Sequence, residues 1–253
     1  MNNQTDLIEY LLRLGDSALV QGQRLCQWCG RAPALEEELA LMNVGLDLVG
    51  QARNWLEYGA ELLNDGRDAD HLAFRRDERA YRNLLLVEQP NGDFAVTMLK
   101  QFLYDAWHLE VLKDLTQSGD ERIVGIAAKA VKEVTYHLRR SSEWVERLGD
   151  GTEESHRRML AAIPEVWRFT VELTNADDSE QRLHDAGVIP DTGQIAVAWQ
   201  AKVNEVFASA TLPVPAAPSP FYLDARRGLH TEHLGILLAE MQSLPRAYPD
   251  ATW

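Results

Sequence analysis

Two stretches of the chain carry reactive side chains where a helix core is expected. Asp105 is followed at i+3 by His108, and Glu133 is followed at i+4 by His137. A carboxylate with histidine three residues on is how di-iron helical bundles present metal ligands to their interior. Such a centre takes a Glu from each of two helices and a Glu-x-x-His from each of two others. The carboxylates bridge and charge-balance the irons, and His completes each coordination sphere. Laid along the four long early helices, the template meets Gln23 on the first and Asp47 followed at i+3 by Gly50 on the second. It meets Asp105 with His108 on the third, and Glu133 followed at i+3 by Tyr136 on the fourth. Gln23 is no carboxylate, and Gly50 and Tyr136 stand where His is required. His137 comes one residue late, about 100° further round the helix. Only the third helix satisfies the stronger half of the template. A plainer reading makes Asp105–His108 and Glu133–His137 local pairs within their own helices. On otherwise apolar seams, Asp105 and Glu133 are expected to be buried and neutralised, with Lys129 and Lys132 as candidate partners of Glu133.

Other candidate chemistry is thinner. Cys26 and Cys29 form a C-x-x-C, readable as a redox pair or half a zinc site. No second cysteine pair exists, and the spacing equally fits two reduced thiols at a helix end. Gly228–Gly235 (G-L-H-T-E-H-L-G) has His230 and His233 flanking Glu232, a metal tripod on paper. At a helix start it more readily fixes a cap and a partner contact. There is no G-x-S-x-G, no phosphate loop and no dinucleotide fingerprint.

The elements that must position these residues are helices. Apolar periodicity predicts helices over 5–30, 33–63, 72–87, 91–117, 121–148, 153–175, 177–186, 191–210 and 231–246. Pro164 is expected to break or kink the sixth. On 121–148 the expected seam is Ile123, Ile126, Ala130, Glu133, His137, Trp144 and Leu148. The 33–63 helix carries two apolar stripes, Leu39, Met42, Leu46, Val49, Leu56 and Leu41, Leu48, Ala52, Trp55, Leu62, so it is expected to pack on more than one side. Its remaining face, including Asn43, Asp47, Gly50 and Asn54, is polar but nearly uncharged. No alternating β-branched run appears, and the proline-rich stretch 212–220 is too near the C-terminus to leave a second domain. The expectation is a single all-α domain over 1–253, a helical bundle with additional helices.

Composition bounds the function. The chain has 253 residues, a net charge of −14 and 45% hydrophobic residues, enough apolar material for a core. The acidic balance argues against nucleic acid and anionic membranes. There is no signal-peptide order and no run of about 20 apolar residues, so a cytoplasmic location is expected. Seven tryptophans suggest aromatic anchors at an interface.

Several stretches together carry a resemblance: Leu12–Asp16 (L-R-L-G-D), Leu46–Asn54 (L-D-L-V-G-Q-A-R-N), Arg76–Arg79 (R-D-E-R), Asn83–Ala95 (N-L-L-L-V-E-Q-P-N-G-D-F-A), Asp105–His108 (D-A-W-H), Lys132–Arg139 (K-E-V-T-Y-H-L-R), Glu146–Thr152 (E-R-L-G-D-G-T) and Gly228–Gly235. They are similar to the C subunits of the bacterial phenylacetyl-CoA epoxidases, also called ring-1,2-phenylacetyl-CoA epoxidases or phenylacetate-CoA oxygenases. The resemblance covers nearly the whole chain and is most specific from Leu84 to Phe94. It implies a ferritin-like four-helix bundle with extra helices and a cytosolic complex for aerobic phenylacetate breakdown. In that family the A subunit carries the di-iron centre and epoxidises the ring, while the C subunit is structural. It implies no cofactor on this chain, di-iron in the partner, and further small subunits and a reductase. Gln23, Gly50 and Tyr136 agree with degenerate ligand positions. The competing readings are a di-iron oxygenase in its own right and a redox protein using Cys26 and Cys29.

Overall fold

A computed structural model describes residues 3–218, 223–249 and 251. The Cα trace groups into two compact units, Met1–Pro90 with Phe221–Trp253, and Asn91–Pro220. The described residues form helices and loops, with one isolated antiparallel bridge, Asp224 to Leu229, in place of any sheet.

The first unit is built on a hairpin of two long helices, α1 (Asn3–Cys26) and α2 (Leu35–Leu63). Gly15 lies on the face of α1 that meets α2. A Cβ there would meet Leu56 at 2.8 Å, so the glycine lets α2 come close. The helices also come close at Gly22 and Gly45, where added Cβ atoms would lie 3.0 Å from the Gly45 carbonyl oxygen and 2.8 Å from Cys26 Sγ. Gly45→Val should therefore lower stability by about 1–3 kcal/mol through overpacking, read as a lower urea midpoint. An unchanged midpoint would mean that the helices part freely. The outcome for the two stripes of α2 is split. Leu41, Leu48, Ala52 and Trp55 are buried, but Leu39, Leu46 and Val49 are exposed, so within this chain the helix packs on one side and not several.

The predicted helix over 72–87 is mostly absent. α3 (Ala69–Phe74) and α4 (Leu85–Glu88) flank a 3-10 turn and extended chain. The extended path is stabilised by α1. Arg76 pairs with Asp16, and the backbone N–H groups of Arg82 and Leu84 donate to Asp16 Oδ2 at 2.8 Å and Ser17 Oγ at 3.0 Å. Two buried side chains of α1 thus replace helical hydrogen bonds. α11 (Glu232–Met241) and α12 (Ser243–Ala247) complete the unit.

The second unit contains α5 (Phe94–Leu115), α6 (Glu121–Gly149), α7 (Glu153–Trp167), α8 (Val171–Thr174), α9 (Asp178–Asp185) and α10 (Thr192–Ser209). Asp93 and Asp120 cap α5 and α6, accepting from Val96 N at 3.0 Å and Arg122 N at 2.9 Å. Pro164 does not break α7. α7 runs on through it to Trp167 with the ring on the exposed side, and the 153–175 stretch is divided later, by a 3-10 turn at Arg168–Thr170. Trp167 stacks on Trp199 at 5.6 Å, and Trp199 Nε1 donates to the Leu103 carbonyl at 3.0 Å. Trp55, Trp107, Trp167 and Trp199 are all buried. These tryptophans fill cores and do not anchor an interface.

Candidate functional site

The reactive residues of the second unit converge on one buried cluster. Asp105 and His108 project from α5, and His137 and Ser141 from α6, all fully buried. Ser141 Oγ stands 2.8 Å from Asp105 Oδ2 and 3.3 Å from the Leu138 carbonyl oxygen. One hydroxyl proton cannot serve both oxygens. The shorter contact is the one in which Ser141 donates to Asp105 Oδ2. Burial pushes the Asp105 carboxyl from its ordinary 3.8 up to about 8, against the opposing pull of Ser141, Gln101 and Arg140. His108 is held neutral. Burial, reinforced by His137, takes its pKa from 6.5 down to about 3. Its ring lies against Tyr104 and Trp107, at 5.0 and 6.2 Å between centroids. Neither of its nitrogens has a hydrogen bond among the described residues. Burial thus favours the uncharged form of both Asp105 and His108.

Glu133 and Tyr136 are not part of it. Glu133 is half-buried and Tyr136 is 43% exposed. The seam of α6 runs Ile123, Ala127, Ala130, Val134, His137, Leu138, Ser141, Val145. From Ala130 the helix takes a step of four to Val134, where the expected seam took three to Glu133. That slip rotates Glu133 outward and leaves His137 inside. Lys129 and Lys132 are exposed; the buried acid of the cluster is Asp105, which burial pushes toward its protonated form and to which Ser141 donates.

In the first unit the expected positions also miss the core. Gln23 and Asp47 are half-buried, and Gly50 is exposed, with nothing within 4 Å of a Cβ built there. The buried amides of α1 and α2 are Gln21 and Gln51. The unit's own polar centre is one the sequence reading did not identify. Glu88 is fully buried. Its Oε1 accepts from Thr231 N at 2.6 Å and Thr231 Oγ1 at 2.7 Å, and its Oε2 from Asn83 Nδ2 at 2.8 Å. His230 Nδ1 also lies 2.8 Å from Oε2, while its Nε2 lies 3.0 Å from the Tyr81 carbonyl oxygen. Both ring nitrogens face acceptors, which a doubly protonated ring satisfies. Arg24 Nε donates to the Glu88 carbonyl at 3.2 Å. So His230 fastens the C-terminal segment to α4 and serves no tripod; His233 is only near Glu232, at 3.9 Å. A lone acid closing the apolar run Leu84–Val87 was the available signal for Glu88. Cys26 and Cys29 are free thiols, the first half-buried and shifted upward by burial and then by Cys29.

These donors do not fit a di-iron centre. α5 offers one carboxyl, which binds its own proton and Ser141, and α6 buries a histidine but no acid. α2 buries no acid at all. Among the described residues no three His, Cys, Asp or Glu side chains form a group able to hold a metal. No described helix is long and apolar enough to cross a membrane.

An all-helical, ferritin-like bundle with a buried carboxyl and a buried histidine in its core is the class that fold and site define. The chain belongs to the family described as "Phenylacetic acid catabolic protein", which matches it over residues 1–253. It is 51% identical over 247 residues to the C subunit of the 1,2-phenylacetyl-CoA epoxidase of Escherichia coli (strain K12), covering 98% of this chain and 99% of that protein.

Proposed function

We propose that the chain is a non-catalytic structural subunit of a multicomponent phenylacetyl-CoA 1,2-epoxidase, acting in the cytoplasm in aerobic phenylacetate catabolism. Its partner is a catalytic subunit holding the di-iron centre, with which it forms a stable heterodimer; further small subunits and a reductase complete the complex. The observation that carries this reading is 51% identity across nearly the full length of a named epoxidase subunit. The donor set supports it, since Gln23, Gly50 and Tyr136 stand where the template calls for iron ligands. A bundle of this kind contributes through its surface, by holding its sister's iron ligands in place.

The test is to express the catalytic subunit with and without this chain. Together they should co-purify with iron on the catalytic subunit and epoxidise phenylacetyl-CoA when the reductase is added. The catalytic subunit alone should lose solubility, iron or most of its rate. Full rate from the catalytic subunit alone would refute the structural role. Elemental analysis of this chain by itself should find no stoichiometric iron; two irons per chain with a ferric oxo band would favour a di-iron oxygenase subunit instead.

A further inference from the structure

α2 leaves part of its apolar surface uncovered in a regular pattern. Leu35 is 68% exposed, Leu39 53%, Leu46 64% and Val49 39%, with Met42 half-buried in the same line. The steps are four, three, four and three residues, the spacing of a helix seam that packs against a second helix. At 1.5 Å per residue the stripe is about 21 Å long. It adjoins the buried face, so the apolar arc continues past what the chain itself covers.

Gly50 is an independent observation at the edge of this stripe. A glycine inside a helix costs roughly 1 kcal/mol relative to alanine. At Gly15, Gly22 and Gly45 a close neighbour explains the residue, but a Cβ at Gly50 would meet nothing within 4 Å. Nothing in this chain requires a glycine there, as nothing requires Gly125 on α6; what sets Gly50 apart is its place beside the apolar stripe, where a helix approaching from outside would gain from it.

Charge selects the occupant. α2 bears Glu36, Glu37, Glu38, Asp47, Glu57 and Glu61 against a single Arg53. A second copy would bring the same acids and the same net charge of −14, and like charges across an interface are disfavoured. We propose that this stripe is the docking seam for a helix of the catalytic subunit that has its own apolar seam flanked by lysine or arginine. The proposal rests on the heterodimer reading and adds where the contact lies. Leu39 and Leu46 are the central anchors, and Gly50 is the point of closest approach.

The experiment measures the affinity of the purified chain for the catalytic subunit and follows the thermal melt of each variant alone. Leu39→Glu with Leu46→Glu should weaken binding by about 100-fold or more, as loss of central anchors does. Gly50→Leu, which has room in the free chain, should weaken it by about 10-fold or more, with an unchanged or raised melting temperature. Val197→Glu, at a 72% exposed site on α10, is the control and should bind as wild type. Converting Glu36, Glu37 and Glu38 to lysine should slow association at low salt and flatten its salt dependence. Wild-type affinity in the leucine pair or in Gly50→Leu would overturn the seam while leaving the heterodimer intact. Unchanged association in the lysine triple would overturn the basic partner helix. A homodimer of the isolated chain that Leu46→Glu dissolves would overturn the choice of occupant. No binding by the wild-type chain would overturn the heterodimer reading and this proposal with it.

Discussion

Glu88→Ala should cost on the order of 3–5 kcal/mol, because it breaks a buried charge network by removing one partner. Four donors converge on this carboxylate from three residues at two places in the chain: Asn83, and the His230 ring with the Thr231 N–H and hydroxyl. Truncation strands them all out of reach of solvent, and each stranded buried donor carries a desolvation penalty of about 1–3 kcal/mol. Glu88→Gln is no rescue, since its amide would present hydrogens to groups that already donate. His230→Ala should be severe for the same reason, and the two changes together should cost far less than their sum. The measurement is urea unfolding of the wild type, both single variants and the double. Additive losses would show that His230 and Glu88 do not act as one unit. An early unfolding phase confined to the C-terminal segment is also expected, because His230 and Thr231 fasten that segment to α4.

What the sequence disclosed depended on how each residue sits in its helix. The long helices were legible; the structure adds the caps Asp93, Asp120 and Thr152 that set where three of them begin. Asp105 and His108 were legible because α5 is buried almost all round, so any polar residue along it had to lie inside. Glu133 was misplaced because α6 has a narrower seam, and one choice between a step of three and a step of four turns a residue outward. Glu88 was missed because its partners come from residues up to 143 positions away, a separation that no local pattern reports. The 72–87 stretch looked helical from its apolar run, but Asp16 and Ser17 of α1 take its amides and hold it extended. The exposed stripe of α2 was visible as apolar periodicity. Only the structure tells which of the two stripes the chain uses for itself.

The stability of the wild-type chain should fall as pH rises from about 6.5 to 8, and Asp105→Asn should abolish that fall. The folded chain holds the Asp105 carboxyl at about 8, above its ordinary 3.8. Between those values the folded state binds a proton that the unfolded state has released. Stability therefore declines with pH there, by at most about 1.4 kcal/mol per unit. His108 works in the opposite sense. Its folded pKa of about 3 lies below its ordinary 6.5, so between those values the unfolded state binds the extra proton and stability rises with pH. From about pH 4 to 6.5 the two slopes oppose each other and nearly cancel. Above 6.5 the histidine is neutral in both states and only Asp105 remains, which gives a decline on the order of 2 kcal/mol by pH 8. Asparagine keeps the shape and can still accept from Ser141, but it has no proton to lose. Its profile should rise up to about pH 6.5 and then stay level, so the gap over wild type widens steadily to pH 8. Urea unfolding of both proteins across pH 4 to 9 checks this, and the difference between the two profiles cancels every titrating group except Asp105 and those coupled to it. Parallel profiles would mean that Asp105 is ionised in the folded core, paired there with a cation strong enough to repay its burial.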